Sequence, residues 1–199
     1  MIPRQFLIAL IVMLIAALAL GIYVGRMRGR ERTAGTSDVY NRPVAPPVSG
    51  PTEQVTLYVA DDDAGTVRAQ AARIPLPAGR QQRAQELLHA LLDLYLDKSS
   101  PHTLAPGADI RSIYLVDPGM VVIDLNAAFA DNHRSGILVE ELTVASLVQT
   151  LSANIPGITR VKILVEGKQR DTLAGHANLA DFYDTSAINQ SVMQMQAQQ

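Results

Sequence analysis

The sequence of 199 residues contains no cysteine. Disulfide bonds, thiolate zinc sites and a lipid-modified cysteine are therefore all excluded. The charge is close to balance, with a formal net charge of −2. Neither this charge nor any long basic stripe in the last two thirds of the chain favours nucleic acid, so we expect no nucleic-acid partner.

Motifs of the common enzyme classes are also missing. The chain has no G-x-S-x-G nucleophile motif and no glycine-rich phosphate-binding loop ahead of a helix. No second histidine lies at the spacing of a zinc site. Ser135 and His133 are neighbours in sequence only, which does not make a catalytic triad. The sequence therefore predicts no catalytic residue, no cofactor and no metal.

One long apolar run lies near the start of the chain. Phe6 to Val24 contains nineteen residues without a charge. As a helix this run would span about 28 Å, close to the hydrocarbon thickness of a membrane. It predicts a single transmembrane anchor, although Ala17–Ala19 also has the small-x-small pattern of a signal-peptidase site. We favour retention of the segment, because the apolar run continues past that site to spanning length.

Arginines flank this run unevenly. Arg4 precedes it, and four arginines follow it at positions 26, 28, 30 and 32. Taken alone, the positive-inside rule would place the rest of the protein in the cytoplasm.

Composition divides the chain into four segments. Residues 1–32 contain the anchor and its basic flank. Residues 33–53 are rich in proline, glycine and serine, which is typical of an extended linker. Residues 54–184 have the patterns of a folded domain, whereas residues 185–199 form a polar, glutamine-rich tail that we expect to be disordered.

Within the folded domain, periodicity predicts two helices and at least five strands. Arg80 to Leu96 has apolar residues at helical spacing, and residues 137–155 have a second such stripe that includes Ile137. Alternating apolar residues predict strands over 55–60, 67–76, 110–116, 121–126 and 160–167. The fold class is therefore α+β. We expect a two-layer sandwich with one mixed sheet in ββα-ββα-β order and both helices on one face.

The stretch after the fourth strand is the strongest candidate for a site. Asp124, Asn126 and His133 are all potential metal ligands or proton carriers. Asp124 and Asn126, however, project from the same face of one strand, about 6 to 7 Å apart, and His133 follows a further loop. We therefore interpret these residues as structural, with Asn126 satisfying backbone groups where the strand ends.

The other acidic and histidine residues have ordinary interpretations. The triplet Asp61–Asp63 begins like a calcium loop, but Ala72 stands where that loop needs a glutamate. The triplet is therefore typical of a solvated hairpin turn. Glu140 and Glu141 open a helix, where negative charge suits the helix dipole. His102 and His176 lie in loops, where we expect both to be exposed.

Several short motifs of the folded domain form an ordered series that is similar to one known bacterial domain family. The similar points are Arg73 after the first hairpin, the P-G-x-x-I element at Pro106-Gly107, the strand at Val122–Leu125, Thr150-Leu151 near the end of the second helix, and Val165-Glu166-Gly167 at the end of the last strand. The series resembles the GerMN domain, which is named for sporulation and spore-germination proteins, and the resemblance covers about Gln54 to Leu179.

This resemblance implies a non-enzymatic α/β module of the bacterial cell envelope. Such domains are held outside the cytoplasmic membrane by a lipoprotein or helical anchor. They are associated with the assembly of envelope complexes and with partners in peptidoglycan and signalling. Here Phe6 to Val24 would replace the lipid-modified cysteine. The resemblance thus favours a single-pass protein of the cytoplasmic membrane with an extracytoplasmic domain, against the arginine distribution.

Two functional hypotheses follow. In the first, the domain binds or scaffolds an envelope protein, peptidoglycan or a second copy of itself. The candidate interaction face comprises Val122, Asp124, Lys162 and Leu164, which alternate onto the sheet face away from the helices. In the second, the domain is an envelope hydrolase that uses Asp124, Glu140 or Glu141.

Overall fold

The structure is a computed structural model, and it describes residues 50–116 and 118–197. These residues belong to the unit Gly50–Gln199. The predicted anchor with its span Phe6 to Val24 lies outside the described residues, and so does the linker up to residue 49. Within the described part of the chain, no helix is long and apolar enough to cross a membrane.

The described part of the chain contains six strands and four helices. In chain order they are β1 (Thr52–Asp61), β2 (Thr66–Pro75), α1 (Arg80–Leu96), β3 (Ile110–Val116), β4 (Met120–Leu125), α2 (Ala127–Asp131), α3 (Ile137–Asn154), β5 (Arg160–Val165), β6 (Tyr183–Asp184) and α4 (Thr185–Ala197). β1 and β2 form an antiparallel two-stranded sheet. The other strands form a four-stranded sheet in the order β3-β4-β5-β6, in which only the β4–β5 pairing is parallel.

The α+β class is confirmed, but the finer architecture differs from the prediction. The strands divide between two sheets instead of forming one mixed sheet. The ββα-ββα-β order is not confirmed, because the chain also forms the short helix α2, the strand β6 and the helix α4. Elements as short as α2 and β6 contain too few residues to show a periodic pattern.

The predicted disordered tail forms the helix α4, which begins at Thr185. This helix packs against α3 and β2, and its Val192 is buried. The Gln196 side chain also donates a hydrogen bond from Nε2 to the carbonyl oxygen of Val67, at 2.8 Å. These tertiary contacts order a segment whose glutamine-rich composition alone gives no strong apolar stripe.

The two sheets are separate because α3 lies along the free edge of β1. Asn154, Thr150 and Ser146 recur every four residues on one face of α3. Asn154 Oδ1 accepts from the Thr56 N–H at 3.2 Å, and Thr150 Oγ1 accepts from the Tyr58 N–H at 2.9 Å. Ser146 donates to the Tyr58 carbonyl at 2.6 Å. Helix side chains thus satisfy backbone groups that a third strand would otherwise bond.

Periodicity gave the core correctly in most places. The apolar stripe of α1 is buried, as are Val121, Ile123 and Leu125 on the inner face of β4. Ile137 is an exception, since its side chain is 62 % exposed. It is the first residue of α3. The core is built from α1, α3 and the inner faces of β1, β4 and β5.

Candidate functional site

The three potential ligands Asp124, Asn126 and His133 do not converge on one site. Asn126 is the N-cap of α2, where Oδ1 accepts from the Phe129 N–H at 2.8 Å. The same amide binds the preceding loop, donating to the Gly107 carbonyl at 2.7 Å. Asn126 is therefore a structural residue, as the sequence indicated. Among the described residues, no three His, Asp or Glu side chains are placed to hold a metal ion.

Asp124 is also held by its own chain. Its side chain is 9 % exposed. Oδ1 accepts from the Gly167 N–H at 2.7 Å, and Oδ2 accepts from Arg111 Nη1 at 3.0 Å. A carboxylate with both oxygens occupied in this way fixes the chain after β5 and is poorly placed to move a proton.

The buried polar centre of the domain is a cluster that the sequence did not reveal. His102 is 1 % exposed and His133 is 7 % exposed, so the expectation of an exposed His102 is wrong. The Nε2 atoms of both histidines lie 2.8 Å from Thr143 Oγ1. We call His102, His133, Thr143 and Asp62 the histidine cluster.

Each histidine in this cluster is oriented through its other ring nitrogen. His102 Nδ1 lies 2.6 Å from Asp62 Oδ1, and His133 Nδ1 donates to the Arg134 carbonyl at 2.7 Å. Burial lowers the pKa of His102, a shift that the Asp62 carboxylate opposes. Burial likewise lowers the pKa of His133. Asp62 also pairs with Arg134 at 2.9 Å, so the Asp61–Asp63 turn takes part in this cluster.

The cluster joins four separate parts of the chain. Asp62 lies after β1, His102 lies in the loop before β3, His133 lies between α2 and α3, and Thr143 lies on α3. One feature of the sequence indicated that Thr143 is buried, because Thr143 lies one helical turn before Leu147 on the buried stripe of α3. Residues this far apart along the chain cannot be matched from periodicity, so the histidines were missed.

Glu140 is fully buried at 0 % exposure. Burial alone would raise the pKa of Glu140, but hydrogen bonds from His176 and from three backbone N–H groups lower it to about 2. Those N–H groups belong to Ala174, His176 and Ala177, each at 2.9 Å from Oε2. Glu140 is thus an ionised anchor for the segment after β5, and its oxygens are fully occupied.

Glu141 has a different environment. It is exposed, and within the described residues it makes no hydrogen bond or ion pair. It lines a cavity of about 360 Å³ between α3, residues 176–183 and α4. The other walls are mostly apolar, including Val144, Ile188 and Met195. Burial and the nearby carboxylates raise the pKa of Tyr183, also in this wall, to about 12.

The predicted interaction face is partly covered by the chain itself. Lys162 is 8 % exposed and donates from Nζ to the carbonyls of Leu179 and Ala180 at 2.7 and 2.6 Å. Together with Asp124, it is therefore occupied by the segment 166–182. Val122 and Leu164 are half-buried. Binding of a partner through this face stays a prediction.

The other end of the same face is open. Tyr114 pairs in register with Val122, and Val122 with Lys162, so the three side chains share the outer face of the sheet. Tyr114 is 56 % exposed, and Phe182, on the segment that covers Lys162, is also exposed. The Arg160 guanidinium lies 5.5 Å from the centre of the Phe182 ring. We call Tyr114, Val116, Val122, Phe182 and Arg160 the open face.

Comparison with known proteins gives a family and a fold. The model of the Germane family, described as sporulation and spore germination, matches residues 56–171. The tandem GerMN domains of the sporulation protein GerM from Bacillus subtilis have a similar structure, with a TM-score of 0.54 and 20 % identity. That match covers 69 % of this chain and 48 % of the GerM chain.

A second solved structure is similar over more of its length. It is a candidate lipoprotein from Clostridium perfringens, 20 % identical, with a TM-score of 0.45. The match covers 74 % of this chain and 96 % of that one. No curated protein matches this sequence.

Proposed function

Because this chain belongs to the Germane family of sporulation and spore germination proteins, we propose that it is a non-catalytic module of the bacterial cell envelope. It binds or scaffolds a partner in an envelope protein complex, at the peptidoglycan or during sporulation or germination. Phe6 to Val24 anchors it in the cytoplasmic membrane, and residues 33–53 carry the domain away from the membrane surface on the extracytoplasmic side.

The observation that carries the proposal is the contrast between occupied acids and an unoccupied apolar surface. Asp124 and Glu140 have both carboxylate oxygens engaged by the chain. The open face, in contrast, presents Tyr114, Val116 and Phe182 to solvent. A cluster of exposed aromatic and aliphatic side chains beside an arginine has the composition of a protein-binding surface. We place the contact with the partner there.

Crosslinking in cells tests this placement. A photoreactive residue at Tyr114 of the full-length chain should capture one recurrent envelope protein. Leu96 is the control position, because it is also apolar and exposed but lies at the end of α1, outside the open face. The same set of adducts from both positions, or none from Tyr114, would contradict the proposal. A reporter fused after Gln199 tests the orientation, and activity in the cytoplasm alone would contradict an extracytoplasmic domain.

One observation favours the second candidate function, an envelope hydrolase. Glu141 is exposed, makes no ion pair with a described residue and borders a cavity. A carboxylate in that position is the one predicted acid that remains free to act on a substrate. Loss of the cellular phenotype in Glu141→Gln, with the fold unchanged, would favour hydrolysis, whereas a normal phenotype supports the binding role.

A further inference from the structure

In the hairpin β1–β2, the outer edge of β1 is hydrogen-bonded to helix side chains, whereas most of the outer edge of β2 is free. The N–H groups of Thr56, Tyr58 and Ala60 bond to side chains of α3 and α1, so they point away from β2. In an antiparallel pair, successive residues point alternately toward and away from the neighbouring strand. Val55, Leu57 and Val59 therefore bond to β2, which leaves the other side of β2 as the free edge.

The register identifies the backbone groups on that free edge. Leu57 pairs with Gln70, and Val59 pairs with Arg68. The even-numbered residues of β2 thus bond to β1, and the odd-numbered residues, from Val67 to Arg73, point outward. The Val67 carbonyl accepts from Gln196. The backbone N–H and C=O groups of Ala69, Ala71 and Arg73 make no hydrogen bond to any described residue on this side.

Parts of the other strand edges in the described domain are occupied by helix side chains or by a neighbouring strand. The edge of β1 is occupied by α3, as shown above. On β3, the Gln81 side chain donates to the Ile113 carbonyl and accepts from the Leu115 N–H, so one amide group replaces a neighbouring strand. The edge of β5 pairs with β6 at Arg160 and Val161. Against this background, the uncovered edge of β2 runs over residues 69–73 and is about 14 Å long.

The side chains of β2 suit the approach of another strand. Ala69, Gln70 and Ala71 are exposed, and the two alanines are too small to hinder it. The charged residues of β2 are Arg68 and Arg73, and both are exposed. Arg68 pairs with Asp61 at 3.3 Å, whereas Arg73 has no carboxylate partner in the described part of the chain. The edge is therefore basic.

We infer that the edge of β2 over residues 69–73 binds an extended, acidic segment of a partner protein by strand addition. Unpaired backbone groups on an exposed edge supply the affinity of such binding, and flanking side chains supply its specificity. An acidic strand would complement Arg73. Pairing with a second copy is disfavoured, because two β2 edges would place four arginines in one interface. This surface is separate from the open face of the four-stranded sheet.

Photo-crosslinking from Gln70 in the full-length chain, in cells, tests this inference. The adduct should map to an acidic segment of another protein. Ala71→Pro removes an outward N–H that β1 does not use, and should lower the adduct yield about tenfold. Ala71→Val keeps that N–H and should leave the yield close to that of the natural chain. Arg73→Glu reverses the charge without changing the backbone and should also lower the yield.

Each contrary result overturns the inference. These results are no adduct, an adduct between two copies of this chain, and an adduct that Ala71→Pro and Arg73→Glu leave unchanged. If Ala71→Pro does not fold, Arg73→Glu decides. The inference rests on the proposed binding role, but the two fail separately, because crosslinking from Tyr114 reports on the open face and crosslinking from Gln70 on the β2 edge.

Discussion

His102 and His133 share one hydroxyl group, with each Nε2 atom 2.8 Å from Thr143 Oγ1. A threonine hydroxyl has one hydrogen to donate and can accept two more. The hydroxyl also lies 2.9 Å from the Val139 carbonyl oxygen, so its single hydrogen can be donated to only one of these three neighbours. This sharing connects the protonation of the two histidines to the packing of α3.

We expect the domain to lose stability as the pH falls below about 6.5. Burial lowers the pKa of His102 and of His133 in the folded protein. The unfolded chain therefore binds more protons than the folded chain in this range. Each histidine lowers the free energy of unfolding by up to about 1.4 kcal/mol per pH unit. Urea unfolding at steps of about half a pH unit, from about pH 7.5 to about pH 5, measures how the free energy of unfolding depends on pH.

The control for the pH effect is His89→Gln, because His89 lies on α1 and outside the histidine cluster. This variant should keep the slope of the natural chain. The charged groups that act on the two histidines are Asp62, Arg134 and Glu140. A slope that stays the same when His102 and His133 are both replaced by glutamine would contradict the assignment.

Thr143→Val should destabilise the domain by about 2 to 4 kcal/mol, because it leaves the Nε2 atoms of two buried imidazoles without a hydrogen-bond partner. Thr143→Ser keeps the hydroxyl and should recover most of that loss. Thermal or urea unfolding of both variants gives the comparison. Equal stability of the two variants would show that the shared hydroxyl contributes little.

Glu140→Gln should destabilise the domain by about 3 kcal/mol at neutral pH, because its amide group would face backbone N–H donors. The folded-state pKa of about 2 lies below the ordinary value of 4.5. The stabilisation is therefore complete above pH 4.5 and is lost as the pH falls from there toward 2. In Glu140→Gln this acid-dependent loss should disappear from the unfolding curves.

Glu141→Gln is the matched control, since Glu141 is the adjacent residue and is exposed. We expect its free energy of unfolding to lie within about 0.5 kcal/mol of the natural value. A large loss in Glu141→Gln, or an unchanged Glu140→Gln, would contradict the anchoring role of Glu140.

Asn154→Ala should cost about 1 to 3 kcal/mol, because Asn154 accepts from the Thr56 N–H and donates to the Thr56 carbonyl. Hydrogen exchange should also become faster at the Thr56 amide. Ala153→Ser changes the neighbouring exposed position and should leave both the stability and that amide unaffected. Faster exchange throughout the domain, without a local effect at Thr56, would argue against edge capping by α3.

Local patterns in the sequence identified the parts of the fold that one element determines. The stripe of α1 and the alternation in β4 each bury their apolar side against a core, so a period of 3.6 or 2 predicts them. The division into two sheets depends instead on three polar side chains of α3 that bond to β1. Polar residues on a helix usually indicate a face exposed to solvent. These three residues therefore did not indicate a contact between α3 and β1, and one continuous sheet was predicted.

The same reason accounts for what the sequence missed in the candidate site. Asp124 and Lys162 do alternate onto the outer face of the sheet, as predicted. Their burial results from the segment 166–182, which returns across that face and has almost no regular structure. Likewise, His102 and Thr143 lie 41 positions apart, and only the packing of a loop on α3 brings them together. Such contacts are set by the path of the chain and have no local period.

The covering of the β1 edge by α3 limits how such domains can associate. A filament built by strand stacking must use two complementary edges on every subunit. In the described domain the hairpin offers only one such edge, that of β2, because α3 occupies the edge of β1. After a strand docks on the edge of β2, the hairpin has no second edge for another subunit. The hairpin therefore suits a one-to-one complex and resists indefinite polymerisation.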